Sequence, residues 1–259
     1  MSDIRIFNNK NKQILPKDFI AKQSIQDVIF ENSFEILGVT KIATNINLTK
    51  DKEDILEFLG YDEDYRLVII EFRDSRTSSV IKKAWVFLDY IKQNYSKTKL
   101  LVTEHIGKEI ADQLVYYPRL ICIGEDYCKY DSLAIKETQY EIDLIKYASF
   151  NKGLFVFEKV YQSKAVNRTL LKLDNITPDK KVLLENLSEF LLSLGDEVTE
   201  VGFNNFLSYR KIRNFLYVVL EEEITLHLIL KNKTKKLVIK NLKDLEKVKI
   251  EIENLYGEI

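Results

Sequence analysis

Residues 55–76, ILEFLGYDEDYRLVIIEFRDSR, set two strand-like apolar runs on either side of an acidic turn. The second run, Leu67–Val68–Ile69–Ile70, is apolar at every position, so it reads as a strand buried on both faces and central in a sheet. The first run and the turn complete a hairpin around Asp62, Glu63 and Asp64, acids that read as a solvated turn. Glu71 and Arg73 follow two apart, a spacing that points both side chains to one face if the strand continues. Taken alone they read as a strand-end ion pair, which is common and weak.

Working outward, residues 18–37 carry apolar side chains at mostly helical spacing, with Asp18 as a candidate cap. Residues 38–47 read as a strand. SSVIKKAWVFLDYIKQNY, from Ser78, reads as an amphipathic helix with Val80, Ala84, Phe87, Leu88 and Ile91 on its apolar stripe. On it Trp85 and Phe87 read as packing residues. KLLVTEHI reads as a strand, GKEIADQLV as a short helix, RLICIGED as a buried strand, SLAIKETQYEIDLIKYA as a helix and GLFVFEKVY as a strand. Helices and strands alternating in this way predict an α/β unit with a partly parallel sheet. The polar stretch 162–181, with Pro178, reads as a linker. After it come a helix stopped at Gly195, three strand-like runs and a closing helix that Asn241 would cap, which together predict a small α+β unit. The expected division is 1–161, a linker 162–181, and 182–259.

Net charge is −1, so no global field steers the chain toward nucleic acid, and any basic patch must be local. Lys231, Lys233, Lys235 and Lys236, with Arg210 and Arg213, form the candidate phosphate-contacting group. A lysine-rich edge strand that discourages aggregation explains the same lysines. Tyr209 and Phe206 nearby read as core. Two cysteines, Cys122 and Cys128, and two distant histidines, His105 and His227, do not supply the four ligands of a zinc site. Cys122 reads as a buried thiol, His105 as a surface residue, and His227 as the polar face of a half-buried strand. The amino terminus lacks the apolar core of a signal peptide, and no apolar run approaches the ~18 residues that span a bilayer. A cytoplasmic chain with no membrane partner is expected.

GYDEDYRLVIIEFR, SVIKKAWVFLDYI and PRLICIGEDYCKYDSLAIKETQYEIDLIKY, in that order and spacing, resemble PD-(D/E)XK nuclease-like proteins related to the nuclease domain of the mismatch endonuclease NucS. The remainder, FLLSLGDEVTEVGFNNFLSYRKIRNFLYVVL and LHLILK, resembles a domain of unknown function that often follows such a nuclease domain. That pairing is sometimes called a predicted transport protein, a label for which the chain offers no physical basis. The resemblance spans about residues 18–160 and 180–258. It implies a restriction-endonuclease-like mixed sheet flanked by helices, followed by a small α+β domain.

The resemblance also implies a site. In the family an Asp on one strand and a Glu on the next hold a divalent cation, which neutralises the scissile phosphate and acidifies a bound water. A Lys two residues after the Glu positions that water. Carried over, the Glu matches Glu71, the Lys matches Arg73 and the Asp matches Glu57. The Gln of the next helix matches Lys83, and the Glu of the first helix, four residues before Gln26, matches Lys22. Asp54 lies three residues from Glu57 and points to the opposite face. Only Glu71 keeps the family's residue. Arginine stays protonated and offers no base. Lys22 and Arg73 are expected to neutralise Glu57 and Glu71, ion pairs standing in for the metal. The expected protein is a degenerate nuclease-like one that binds nucleic acid or a partner protein without hydrolysis and needs no cofactor. The alternative is an active Mg- or Mn-dependent endonuclease with a Glu57–Glu71–Arg73 site and Glu57 and Glu71 as metal ligands. A homodimer is compatible with either.

Overall fold

A computed structural model describes residues 5–8, 10, 12–18, 22–48, 55–73, 80–136, 138, 140–151, 153–163, 176–203, 205–230 and 233–255, without the side chains of Phe7, Lys22, Gln23, Val80, Lys82 and Ala84. Asp54, Ser78, most of the expected linker and Lys231 lie outside the described residues, as do the side chains of Lys22, Val80 and Ala84. The chain forms two compact units, Met1–Lys164 and Ala165–Ile259.

The first unit opens with a small hairpin, β1 (Ile6–Asn8) and β2 (Gln13–Leu15), and a short β3 (Lys17–Asp18). Then come α1 (Lys22–Leu37), β4 (Val39–Asn47), β5 (Ile55–Asp62), β6 (Arg66–Phe72), α2 (Val80–Gln93), α3 (Tyr95–Ile106) and α4 (Lys108–Gln113). β7 (Val115–Gly124), α5 (Lys129–Lys136), β8 (Ile142–Phe150) and β9 (Leu154–Gln162) complete it. The main sheet runs β3-β8-β7-β6-β5-β4, with β9 on β8. β4, β5 and β6 are antiparallel neighbours; β6, β7 and β8 are parallel. This is the expected mixed sheet flanked by helices.

β6 is buried at all seven positions, as its unbroken apolar run requires of a central strand. Leu67 and Ile69 pack with Ile81, Phe87, Leu88 and Ile91 of α2 on one face. On the other, Phe30 of α1 sets its ring 5.6 Å from Phe58 and 5.8 Å from Phe72. Phe87 is therefore core, whereas Trp85 is 40 % exposed.

Several assignments differ from the sequence reading, among them the second unit's three strand-like runs, which are five strands. KLLVTEHI lies in α3, where Thr98 and Val102, one turn apart, face inward while Leu100 faces solvent. A short apolar run fits either period, and α3 took the helical one. The supposed helix after Ser132 ends at Lys136, and Ile142–Phe150 is β8 instead. With β7 on one side and β9 on the other, β8 buries apolar residues on both faces, which blurs the alternation that marks a strand. Asp18 is no helix cap; it belongs to β3 and pairs with Ser149.

Gly60 of β5 pairs with Lys41 of β4. A Cβ there would lie 2.6 Å from the Thr40 carbonyl oxygen and 2.7 Å from Val39 Cγ1. Gly60→Ala should therefore cost about 1–3 kcal/mol through overpacking. A urea midpoint equal to wild type would show that β4 gives way freely.

Two of the three turn acids are not solvated. Asp62 and Asp64 are buried, and Asp62 Oδ1 accepts the backbone N–H groups of Asp64 (3.1 Å) and Arg66 (3.0 Å), closing the β5–β6 turn with Tyr65 at φ 57. Its other oxygen faces Arg66 Nη2 at 3.3 Å and Arg119 Nη1 at 3.7 Å. Arg66 Nη1 reaches Glu141 Oε2 at 2.5 Å, and Arg119 Nε donates to Asp143 Oδ2 at 2.8 Å. Five buried charges thus tie the hairpin to β7, β8 and the residue before β8. The sequence shows the signal only as charges set into apolar runs, Arg119 in YYPRLICIG and Asp143 in EIDLIKY.

The second unit contains α6 (Pro178–Ser193), then an antiparallel meander, β10 (Thr199–Gly202), β11 (Phe206–Arg210), β12 (Asn214–Leu220), β13 (Ile224–Leu230) and β14 (Lys233–Ile239), and α7 (Leu242–Leu255). Pro178 opens α6, where its missing N–H costs nothing. Asn241 caps α7, its side-chain oxygen accepting the N–H groups of Lys243 (3.0 Å) and Asp244 (3.1 Å). Leu187 and Leu191 of α6 and Leu245 and Ile252 of α7 pack with Leu216, Val218, Leu226 and Leu228 of the meander. Tyr209 is core here too and donates to Glu200 Oε2 at 2.6 Å.

Candidate functional site

Glu71 stands one residue before the end of β6, on the face that carries Leu67 and Ile69. Glu57 lies near the start of the antiparallel β5, so the hairpin brings the two acids side by side. Glu57 donates its backbone N–H to Glu71 Oε1 at 3.1 Å. Glu57 Oε2 accepts from the Phe72 N–H and from Gln26 Nε2 of α1, each at 3.1 Å. Both carboxyl groups are buried, Glu71 fully.

Among the described side chains, a cation at this pair comes from α2. Lys83 Nζ stands 3.1 Å from Glu57 Oε1 and 2.8 Å from Glu71 Oε2. The contact to Glu71 is a charge contact rather than an aligned hydrogen bond. The lysine stem passes Phe87, whose ring centroid is 5.9 Å from Nζ, and the side chain is 34 % exposed. Burial pushes the Glu71 carboxyl up to about 7; the Lys83 ammonium opposes that rise, and the neighbouring Glu57 charge adds to it. For Lys83, burial favours the neutral amine, but Glu71 and Glu57 outweigh it, and the ammonium is held above its ordinary value.

Arg73 goes elsewhere. Its Nη1 lies 2.7 Å from Asp131 Oδ2 and donates to the Asp126 carbonyl at 3.0 Å, and the guanidinium sits 5.5 Å from the Tyr127 ring centroid. Asp131 also accepts the Cys128 N–H at 2.7 Å at the start of α5. Burial works against the charged carboxylate, but the Cys128 N–H and Arg73 prevail and hold it below the ordinary range. Arg73 was expected beside Glu71 because of its two-residue spacing. β6 ends at Phe72, and beyond it the guanidinium is held by Asp131 and the Asp126 carbonyl rather than by Glu71. Lys22 is the first residue of α1, and its side chain lies outside the described residues. The sequence reading named Lys83 and Gln26 but missed Asp131, which carries no signal beyond an acid in a helix first turn.

The acids suit a hard divalent cation by donor type. Such an ion takes oxygens at about 2.0–2.6 Å, in the space Lys83 Nζ holds. Among the described residues no group of three or more His, Cys, Asp or Glu side chains could hold a metal ion. With Lys83 in place the residues do not fit the metal that the resemblance implies.

The candidate basic group is thinner than its sequence. Lys233 and Lys236 of β14 are exposed. Lys235 pairs with Glu251 of α7, Arg213 is half-buried, and Arg210 is 1 % exposed, which removes it from any backbone phosphate. Cys122 is buried and Cys128 exposed. His105 is exposed, its Nδ1 2.8 Å from the Leu101 carbonyl, and His227 is half-buried on β13.

Two solved structures resemble the chain. One is a complex of EndoMS with double-stranded DNA, at 14 % identity and a TM-score of 0.34, covering 51 % of this chain and 49 % of that one. The other is a repair endonuclease from Pyrococcus abyssi, at 14 % identity and a TM-score of 0.32, covering 51 % of this chain and 50 % of that one. The chain thus spans about half the length of each structure it matches, and nothing about the site follows from so distant a likeness. No family model matches the chain, and no curated protein does.

Proposed function

We propose that this chain is a nuclease-like protein that binds nucleic acid without cleaving it. The observation that carries the reading is Lys83, whose ammonium lies between Glu57 and Glu71 at 3.1 and 2.8 Å. Phosphodiester hydrolysis of the kind the sequence resemblance implies needs a cation on those acids and a base or orienting group for water. Lys83 takes the cation's place, and as a strongly held ammonium it is no base at neutral pH. Arg73 stays protonated and is engaged by Asp131. The paired acids then serve to fix α1 and α2 against the end of the hairpin. Nucleic acid would meet the exposed lysines of β14, which have the charge and the exposure for phosphate contact. Among the described residues no helix is long and apolar enough to cross a membrane, so the transport label gains no support.

Fluorescence anisotropy with labelled single- and double-stranded DNA and RNA, titrated across salt concentrations, tests binding. Affinity should fall as salt rises, and Lys233→Ala and Lys236→Ala should each flatten the log–log slope by about one. Salt-independent or absent binding would favour a protein partner instead. Incubation of plasmid with Mn²⁺ tests the other half: cleavage lost in Glu71→Gln would replace this reading with an active endonuclease.

A further inference from the structure

The mismatch between the acid pair and the metal expected there points to a specific arrangement. Glu57 and Glu71 are buried and held at fixed positions. The Phe72 N–H and Gln26 orient one acid, and the Glu57 N–H orients the other. Glu57 Oε1 and Glu71 Oε2 both face Lys83 Nζ. Glu71 Oε2 is sealed from solvent and has no aligned hydrogen bond, so the ammonium satisfies it by charge alone. By contrast Lys83 is a third exposed and reaches the pair by a flexible stem from α2. The acids are thus built into the sheet, while the cation is supplied by a helix side chain a third exposed to water.

We infer that the Glu57–Glu71 pair is a divalent-cation site kept shut by the tethered ammonium of Lys83, which excludes Mg²⁺ and Mn²⁺ by occupying their place. This deepens the functional reading above and rests on it for the absence of cleavage. The physical basis is simple. An ion with oxygen ligands at about 2.0–2.6 Å cannot coexist with Nζ, and a tethered ammonium competes at high local concentration. Unlike a metal, it brings no water whose proton is acidified.

Calorimetric titration of Mn²⁺ tests it on four full-length proteins: wild type, Lys83→Met, Lys83→Arg, and Lys83→Met with Glu71→Gln. Circular dichroism checks that each is folded. Wild type and Lys83→Arg should show no saturable binding at millimolar Mn²⁺. Lys83→Met should show saturable binding in that range, since a cation near the ion is gone, and the added Glu71→Gln should abolish it. Saturable binding to wild type as tight as to Lys83→Met would overturn the inference, as would a folded Lys83→Met that gains nothing. If Lys83→Met does not fold, Lys83→Gln takes its place. Failure of both to fold would mark Lys83 as a structural prop for the acids and overturn the inference too. The salt-dependent anisotropy of the wild type is read separately, so loss of one conclusion is distinguishable from loss of the other.

Discussion

Arg119→Ala should cost the first unit about 3–5 kcal/mol, the range for breaking a buried ion pair by removing one partner. Arg119 is 1 % exposed and meets Asp143, Asp62 and Glu141. Without it, Asp143 keeps a fully buried carboxylate whose Oδ1 already lacks a hydrogen-bond partner among the described residues. Arg66 still faces Asp62 and Glu141, so the loss falls mainly on Asp143. Urea denaturation measures the effect. Combining Arg119→Met with Asp143→Leu should recover much of it, because replacing both partners removes the stranded charge. A single variant as stable as wild type, or a double variant worse than the single, would show that these charges are not coupled.

Raising the pH from about 5 to about 8 should weaken the fold through Glu71, by on the order of 3 kcal/mol. The sign follows from the direction of its shift. Burial lifts the carboxyl from 4.5 to about 7 in the folded protein, so between those values the folded state holds a proton that the unfolded state has lost. Stability is therefore largest below the unfolded value and falls as pH rises through the folded one. Asp131 has the opposite sense: held below its ordinary 3.8, it contributes stability that is lost only on acidification, outside this window. Urea midpoints across the range should slope for wild type and flatten in Glu71→Gln. Parallel slopes for the two proteins would refute the assignment to Glu71.

How much of this was legible beforehand depended on burial. The β5–β6 hairpin and α2 could be read because their apolar residues follow one clear rule, an unbroken run for β6 and a helical stripe for α2. α3 and β8 could not. Each offers a short apolar run compatible with both periods, and the choice was made by neighbours: Val102 entering the core, and β8 lying between β7 and β9. The turn acids misled for a related reason. Asp62 looks solvated when only its chain neighbours are considered, and Arg119, which helps bury it, lies 57 residues away on β7.

By itself the sequence determined the mixed α/β character and the central strand with Glu71 at its end, because these follow from local periodicity; Glu57 was named as its partner only through the family resemblance. Only the tertiary structure decided which base meets those acids. Arg73 is nearer to Glu71 in the chain, but β6 stops at Phe72 and Asp131 of α5 draws the guanidinium away. α2 packs its apolar stripe on Leu67 and Ile69, and that docking carries Lys83 to the carboxylates. An ion pair forms where packing sets two charges within a few ångströms, and packing is a property of surfaces distant in sequence.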